Sequence, residues 1–335
     1  MSSNRVQVLY VLGMYRSGTT LLGNLAGQLD GYCSVGELRS VWRKSTLPGV
    51  RCGCGARLSE CPVWSAILGS ALGEGEQRTA LAREMRHCQR EAVGEFHTWL
   101  RVPSLLRRRG SALPAGSALA RYAEGLGRMY RAVAAQTGAT VIVDSSKEPT
   151  DAALLLLMPD VDATFVQIVR DPRGTVNSVL RAREKGAGDK DRPAGSRKLL
   201  PSFYTSLSWS AGNLAAAAVR RSAGPDRSML LRYEDFVAQP AAAIESLARM
   251  AGRPAQFPAS AEPGTVHMQV AHTVGGNDNR FRAGPVQLRE DTTWRSELRP
   301  LNRAAITAAC APLMARYGYR LARGATPATA RPVTS

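Results

Sequence analysis

Two hydrophobic periods alternate along the chain. Val6 to Leu12 is an almost wholly apolar run that stops at a glycine-bearing loop. From Thr19 to Leu29 the spacing turns helical, with Leu21, Leu22, Leu25 and Leu29 on one side. Strand, loop and helix make the first half of a parallel βαβ unit. Similar buried-strand runs recur at Thr140 to Val143, Ala163 to Val169 and Ser228 to Leu231. Helical segments follow the last two, at Thr175 to Arg183 and Ala241 to Met250. The pattern predicts an α/β fold, a parallel sheet flanked by helices, with ligands at the carboxyl ends of the strands.

A long insertion, about 43–138, separates the first unit from the second. Leu81, Met85, Cys88, Ala92, Phe96 and Leu100 repeat at three and four, which predicts one helix ending before Pro103 and the basic RRRG at 107–110. A second helix is expected over Ser117 to Gln136. Together they form a helical cap, either a carrier of acceptor specificity or a purely structural cover. Residues 185–201 are rich in Gly, Asp, Lys, Arg and Pro and read as a mobile loop, and 323–335 as a disordered tail. One domain is expected over 1–322.

Composition adds one fact to this picture. The 335 residues carry a net charge of +17, and only 5 of the 44 basic residues are lysine. Such a field concentrates phosphates, sulfates or acidic surfaces. No basic stripe with interleaved aromatics appears, so a specific nucleic-acid partner is not expected. No apolar run has membrane-spanning length, although peripheral membrane contact stays open. The N-terminus lacks secretory features, so the expected location is cytoplasmic and the six cysteines default to reduced thiols.

The chemistry starts in the first loop. Gly13 to Thr20 nearly spells the phosphate loop G-x-x-x-x-G-K-[ST], with Thr19 where lysine belongs and a cation at Arg16 instead. A glycine turn feeding a helix offers free N–H groups and the positive end of the helix dipole, an anion site that needs no metal. The second informative stretch is IVRDPRGTVNSVL, 168–180. Arg170 ends a strand, Asp171 suits an N-cap, Pro172 suits the first helical position, and Ser178 follows two turns later. An arginine and a serine so placed can grip a phosphate from two sides.

RSGTTLL after a strand, then VRDPRGTVNS about 150 residues later, resembles the sulfotransferases that use 3′-phosphoadenosine 5′-phosphosulfate (PAPS), bacterial and carbohydrate-type members included. The resemblance implies a P-loop-like sheet. It also implies that Arg16, Ser17, Gly18, Thr19 and Thr20 hold the 5′-phosphosulfate, and that Arg170 and Ser178 hold the 3′-phosphate. YCSVGELRSVW, 32–42, is similar to the tyrosylprotein sulfotransferase segment bearing the catalytic base, which points to Glu37. DSSKEP, 144–149, puts Lys147 near the sulfuryl group. LRYEDF, 231–236, implies Tyr233 at the nucleotide. HTVGGNDNRFR, 272–282, matches a late loop of carbohydrate-type members whose Arg280 would reach the 3′-phosphate. Two features depart from the family: the loop cation is arginine rather than lysine, and the glycine-rich terminal motif of the steroid and phenol enzymes is missing.

The resemblance implies in-line sulfuryl transfer to an acceptor hydroxyl on a carbohydrate, glycolipid or natural product. Charge develops on equatorial oxygens and the leaving phosphate, which Arg16, Lys147 and the loop amides would stabilise. Glu37 would take the hydroxyl proton, with His272 as the rival base, unless Glu37 is spent in a salt bridge to Arg39 or Arg16. Two other readings compete. A P-loop kinase or nucleotidase needs a magnesium-binding carboxylate, for which Asp144 is the candidate. A non-catalytic nucleotide- or RNA-binding module would use only the basic surface.

Cys52, Cys54 and Cys61 form C-x-C-x₆-C. That spacing invites zinc, with Cys33 or Cys88 as a fourth ligand, but no histidine lies nearby in sequence. The expectation is therefore a thiol-bearing loop near the acceptor entrance, and no metal.

Overall fold

The computed structural model describes residues 5–94, 98–184, 201–258, 262 and 264–321. The charged stretch 185–200, the tail beyond 321 and Phe96 lie outside the described residues. Five parallel strands form the main sheet in the order β2-β3-β1-β4-β5. They are β1 (Val6–Gly13), β2 (Tyr32–Gly36), β3 (Val141–Lys147), β4 (Val161–Val169) and β5 (Ser228–Arg232).

β1 is central, which explains its unbroken apolar run: a strand buried on both faces needs apolar side chains on both. Val8, Tyr10 and Leu12 enter one core, and Leu9 and Val11 enter the other. α1 (Thr19–Ala26), α10 (Tyr233–Ala238) and α11 (Pro240–Met250) pack on the second face, through Leu22, Leu25, Phe236, Ile244 and Leu247. The first face is covered by α6 (Ala118–Thr137), α7 (Pro149–Leu155) and α9 (Pro201–Ala223), which bring Tyr130, Leu154 and Val219 to it. Behind β4 lie α8 (Pro172–Glu184), α12 (Trp294–Glu297) and α13 (Pro300–Arg316).

Between β2 and β3 run α2 (Val41–Lys44), α3 (Pro62–Leu72), α4 (Gly75–Ala92), α5 (Val102–Leu106) and α6. Trp42, Trp64 and Tyr122 are all but fully buried here and tie these helices to the sheet. Each such side chain contributes about 1.5–3 kcal/mol on leaving water. The single helix expected from Leu81 to Leu100 is not formed. α4 stops at Ala92, and Gly94 at φ +80° turns the chain away. Pro103 opens α5 rather than closing a helix, because its missing N–H is harmless in a first turn. The second expected helix is α6, capped by Ser117, whose Oγ accepts from the Ala120 N–H at 3.1 Å.

β2 escaped the sequence reading, since YCSVG has no apolar run or alternation that marks a strand. Two irregularities sit at the carboxyl edge beside it. The β1–β3 register slips between Tyr10 and Leu12, and the β2–β3 register slips between Ser34 and Gly36. Bulges of this kind re-aim the side chains that follow them. A separate antiparallel hairpin, β6 (Thr265–Met268) with β7 (Gly284–Gln287), carries the late loop at its tip. That loop docks on β2: the Val274 N–H donates to the Val35 carbonyl at 2.9 Å, and the Glu37 N–H to the Val274 carbonyl at 2.7 Å.

Candidate active site

Every strand of the main sheet delivers a candidate residue at its carboxyl end. Along the edge the sequence is Glu37 after β2, Lys147 ending β3, the Arg16–Ser17 loop after β1, Arg170 after β4 and Tyr233 after β5. Neighbouring strands stand about 4.8 Å apart, so this row extends over roughly 19 Å.

The loop after β1 is bound by its neighbours. Gly13 tolerates no side chain, because a Cβ there would lie 2.8 Å from the Ile168 carbonyl. Gly18 sits at φ +91° with the Tyr233 ring against it, where a Cβ would approach that ring to 2.6 Å. Ser17 is fully buried and its Oγ has no hydrogen-bond partner. Thr19 and Thr20 are buried at the head of α1. An orphaned hydroxyl, free amides and a helix N-terminus make the donor set of an anion site.

The two motifs identified in sequence meet in space. Arg16 Nε donates to Ser178 Oγ at 3.1 Å, and Arg170 Nη1 donates to the Arg16 carbonyl at 2.9 Å. α8 begins as expected, with Asp171 Oδ1 accepting from the Arg173 N–H and Pro172 at the first helical position. Burial lowers the pKa of Arg16, and the charges of Arg170 and Arg181 lower it further, with only Asp278 opposing them. Cations pressed together in this way favour an anion among them. Arg170 is 6% exposed, bonds Asp291 Oδ2 at 2.9 Å, and stacks 4.7 Å from the Tyr233 ring centroid. Sequence reasoning missed Arg181 and Asp291. Arg181 had a signal, three residues beyond Ser178 on the same helix face. Asp291 had none, lying 121 residues from its partner.

At the other end, Lys147 Nζ bonds Glu37 Oε1. The partner is thus Lys147 and neither Arg39 nor Arg16; Arg39 pairs instead with Asp151. Burial pushes the Glu37 carboxyl up, but the charge and hydrogen bond of Lys147, with Lys44 and the Gly276 amide, hold it below its usual range. Arg16 at φ +69° and Lys147 at φ +65° are the two non-glycine residues with positive φ among the described residues. Backbone strain of about 1–3 kcal/mol at each is retained at the two cations nominated for catalysis.

Arg280 sits in the late loop, in a single turn over Asp278–Phe281. Its Nη1 donates to the Thr273 carbonyl at 3.1 Å, and Gly276 packs between it and Thr20. Burial lowers the pKa of Arg280, and the charges of Cys52, Glu37 and Asp278 oppose that shift. His272, the rival base, turns its Nδ1 toward Cys61 Sγ at 3.2 Å and Cys52 Sγ at 3.8 Å. The expectation that no histidine neighbours these cysteines is corrected: His272 arrives from 211 residues beyond Cys61.

Asp144, the candidate magnesium ligand, is 1% exposed and fully engaged. Its oxygens accept from Tyr130 Oη at 2.7 Å, the Ser146 N–H at 2.8 Å and Ser146 Oγ at 2.5 Å. Burial pushes its pKa from an ordinary 3.8 up to about 6, against those hydrogen bonds. The folded carboxyl therefore holds its proton more tightly than the unfolded one. Stability from protonation is present below pH 3.8 and is lost as pH rises through about 6. Thermal melts from about pH 4 to 6 should show Asp144→Asn lacking the part of the fall that wild type shows.

A cavity of about 540 Å³ opens over the Glu37–Lys147 pair. It is lined by Gly13, Ser146 and Pro149, by Arg86, Gln89 and Arg90 of α4 with Thr98 and Trp99, and by Tyr204, Ser208 and Gly212 of α9.

The fold is P-loop-like, the likeness of the solved structures given below, and the family match makes the chain a transferase. Within that class the chain belongs to the sulfotransferase family, whose sequence model matches residues 9–257. Carbohydrate sulfotransferase 7 of Mus musculus is 30% identical over 205 residues, 49% of this chain and 41% of the mouse protein. The chain thus spans about two-fifths of the length of that relative. The sulfotransferase domain from the curacin biosynthetic pathway superposes with a TM-score of 0.53 at 14% identity, over 95% of this chain and 99% of that one, a likeness of fold. The sulfotransferase domain from the Synechococcus PCC 7002 olefin synthase is 16% identical, with a TM-score of 0.47 over 96% of this chain and 97% of that one. Among the described residues no helix is long and apolar enough to cross a membrane.

Proposed function

We propose that the chain moves a sulfuryl group from PAPS to an acceptor hydroxyl, with Glu37 as the general base. The order of residues along the sheet edge carries this reading. The anion loop lies at the centre, with the Arg170–Ser178 clamp beyond it on the β4 side and the carboxylate under an open cavity on the β2 side. An elongated donor laid along that row meets a phosphate grip at one end and a proton acceptor at the other.

The donor, when bound, supplies the activated sulfuryl group. Ser17 Oγ, the amides of Gly18 to Thr20 and the Thr19 and Thr20 hydroxyls would hold its 5′ end. Arg170, Ser178 and Arg181 would hold the 3′-phosphate, and Tyr233 would pack beside the loop. The surroundings of Arg280 favour a task at the 5′ end rather than at the 3′-phosphate. Lys147 keeps Glu37 ionised at neutral pH. A carboxylate with a lowered pKa is a weak base, so proton transfer gains force when Lys147 releases it to face developing charge.

The acceptor would enter through the cavity. Arg39, Arg43, Lys44, Arg86 and Arg90 line it, which favours an acceptor that carries negative charge beside its hydroxyl. The likeness to a carbohydrate sulfotransferase favours a sugar hydroxyl. Exposed Leu100, Phe203 and Leu207 adjoin the lining residues Trp99, Tyr204 and Ser208, which suits an amphiphilic acceptor such as a glycolipid met at a membrane surface. No disulfide joins any of the six cysteines, which fits work in the cytoplasm.

Thermal shift with 3′,5′-ADP, ATP–Mg²⁺ and AMP tests the donor. At about 100 times Kd, 3′,5′-ADP should add roughly 2.7 kcal/mol of stability, with little from AMP. Stabilisation by ATP–Mg²⁺ and none by 3′,5′-ADP would sink the reading in favour of a kinase.

A further inference from the structure

Cys52, Cys54, Cys61 and His272 form a cluster that the transfer chemistry leaves unused. Their four ligand atoms all lie within 4.8 Å of one another. The local fold gathers them by identifiable contacts. The Cys52 N–H donates to the Ala56 carbonyl at 2.9 Å, and Gly55, at φ +90°, donates back to the Cys52 carbonyl at 2.9 Å. This tight turn brings the first two thiols together. Cys61 stands at the N-cap of α3, and its N–H donates to the Arg57 carbonyl at 2.8 Å. His272 is held from both sides. Trp64 Nε1 donates to its carbonyl at 2.9 Å, and the Gly53 N–H donates to the Thr273 carbonyl at 3.0 Å. Gly53 must be glycine, since a Cβ there would lie 2.3 Å from the Ala271 carbonyl.

A tetrahedral zinc site with Zn–S near 2.3 Å and Zn–N near 2.0–2.1 Å spaces its sulfurs roughly 3.8 Å apart and sulfur from nitrogen roughly 3.5 Å. His272 Nδ1 lies 3.2 Å from Cys61 Sγ and 3.8 Å from Cys52 Sγ, on either side of that edge length. Cys52 and Cys61 are fully buried, while Cys54 and His272 are half-buried. Three soft thiolates and an imidazole select zinc over calcium or magnesium. Four protein ligands leave no open position, the mark of a structural site.

We propose that Cys52, Cys54, Cys61 and His272 bind one Zn²⁺ in a closed Cys₃His site that fastens the late loop to the helical insertion. On binding, three thiols release their protons to solvent and His272 coordinates as neutral imidazole through Nδ1. No electrons move, and the site carries a net charge of −1. Arg280, bonded to the carbonyl of the residue after His272, lies close enough to balance that charge. Two residues past the histidine, Val274 bridges to β2, and Gly276 follows beside Glu37 and Thr20. The metal therefore acts as a rivet holding the wall of the site against the sheet.

The test uses the full chain purified with zinc in the growth medium and no chelator. Elemental analysis should find about one zinc per chain. Mercurial modification of the thiols should release it to a metallochromic dye. Cobalt loading should give the intense d–d bands and sulfur-to-cobalt charge transfer of a tetrahedral thiolate site. Cys61→Ser and His272→Ala should lose the metal, whereas His272→Cys should keep it as a four-thiolate site. A histidine serving only as a hydrogen-bond partner does not predict that rescue. Wild-type protein with six titratable thiols, no zinc and no cobalt–thiolate spectrum would overturn the proposal, and so would a disulfide among Cys52, Cys54 and Cys61. These readouts do not use sulfuryl transfer. An inactive chain carrying one zinc would count against the proposed function alone, and an active chain without metal against the rivet alone.

Discussion

Arg16→Ala is expected to slow sulfuryl transfer by about 10²–10³-fold, the usual cost of removing one preorganised donor at developing charge. The same change should leave the melting temperature equal or higher. Arg16 is crowded by the charges of Arg170 and Arg181, so deleting it relieves repulsion in the ligand-free protein. Its left-handed backbone is no harder for alanine than for arginine. What the fold loses is a hydrogen bond to Ser178, a modest term of about 1 kcal/mol. Acceptor turnover measured beside thermal melting checks both halves. A variant that melts far lower, or that transfers at the wild-type rate, contradicts the assignment of Arg16 to catalysis.

Glu37→Gln should lower kcat by about 10²–10⁴-fold while 3′,5′-ADP binds with unchanged affinity. The proposed nucleotide grip uses residues on the β1, β4 and β5 side of the sheet edge, away from the β2 end where Glu37 sits. The pH profile gives a second reading of the same variant. Lys147 and its neighbours hold the Glu37 carboxyl below its usual range, so the wild-type acid limb should fall below the ordinary glutamate pKa of 4.5. Activity is present above that limb and lost as pH drops through it, and the glutamine variant should lack it. Retained turnover would remove Glu37 as the base. His272 would not be the obvious successor, because its Nδ1 faces two thiols.

Much of this was legible in one dimension because the chemistry sits on strand ends. Buried parallel strands are continuous apolar runs, so β1 and β4 announce themselves, and the residues that follow them are the loop and the clamp. β2 was silent because its five residues, YCSVG, hold a cysteine, a serine and a glycine in place of an apolar run. Glu37 was nonetheless found, through the motif around it. Its partner was misjudged for a different reason. Arg39 is close in sequence, but it belongs to Asp151, whereas Lys147 lies 110 residues away and reaches Glu37 across the β2–β3 register slip. Nor can sequence spacing reveal His272 beside the cysteines, since a hairpin between β6 and β7 carries it there. Local patterns report helices, caps and turns; which loops share a corner depends on sheet order.

That order has an evolutionary consequence. Arg86, Gln89, Arg90, Thr98 and Trp99, which line the cavity from between β2 and β3, come from a stretch of chain that supplies none of the residues proposed to grip the phosphates. Selection can rewrite the one without editing the other. A chimera that exchanges this stretch for its counterpart in a related enzyme should inherit the acceptor taste of its new roof and keep its own appetite for the nucleotide.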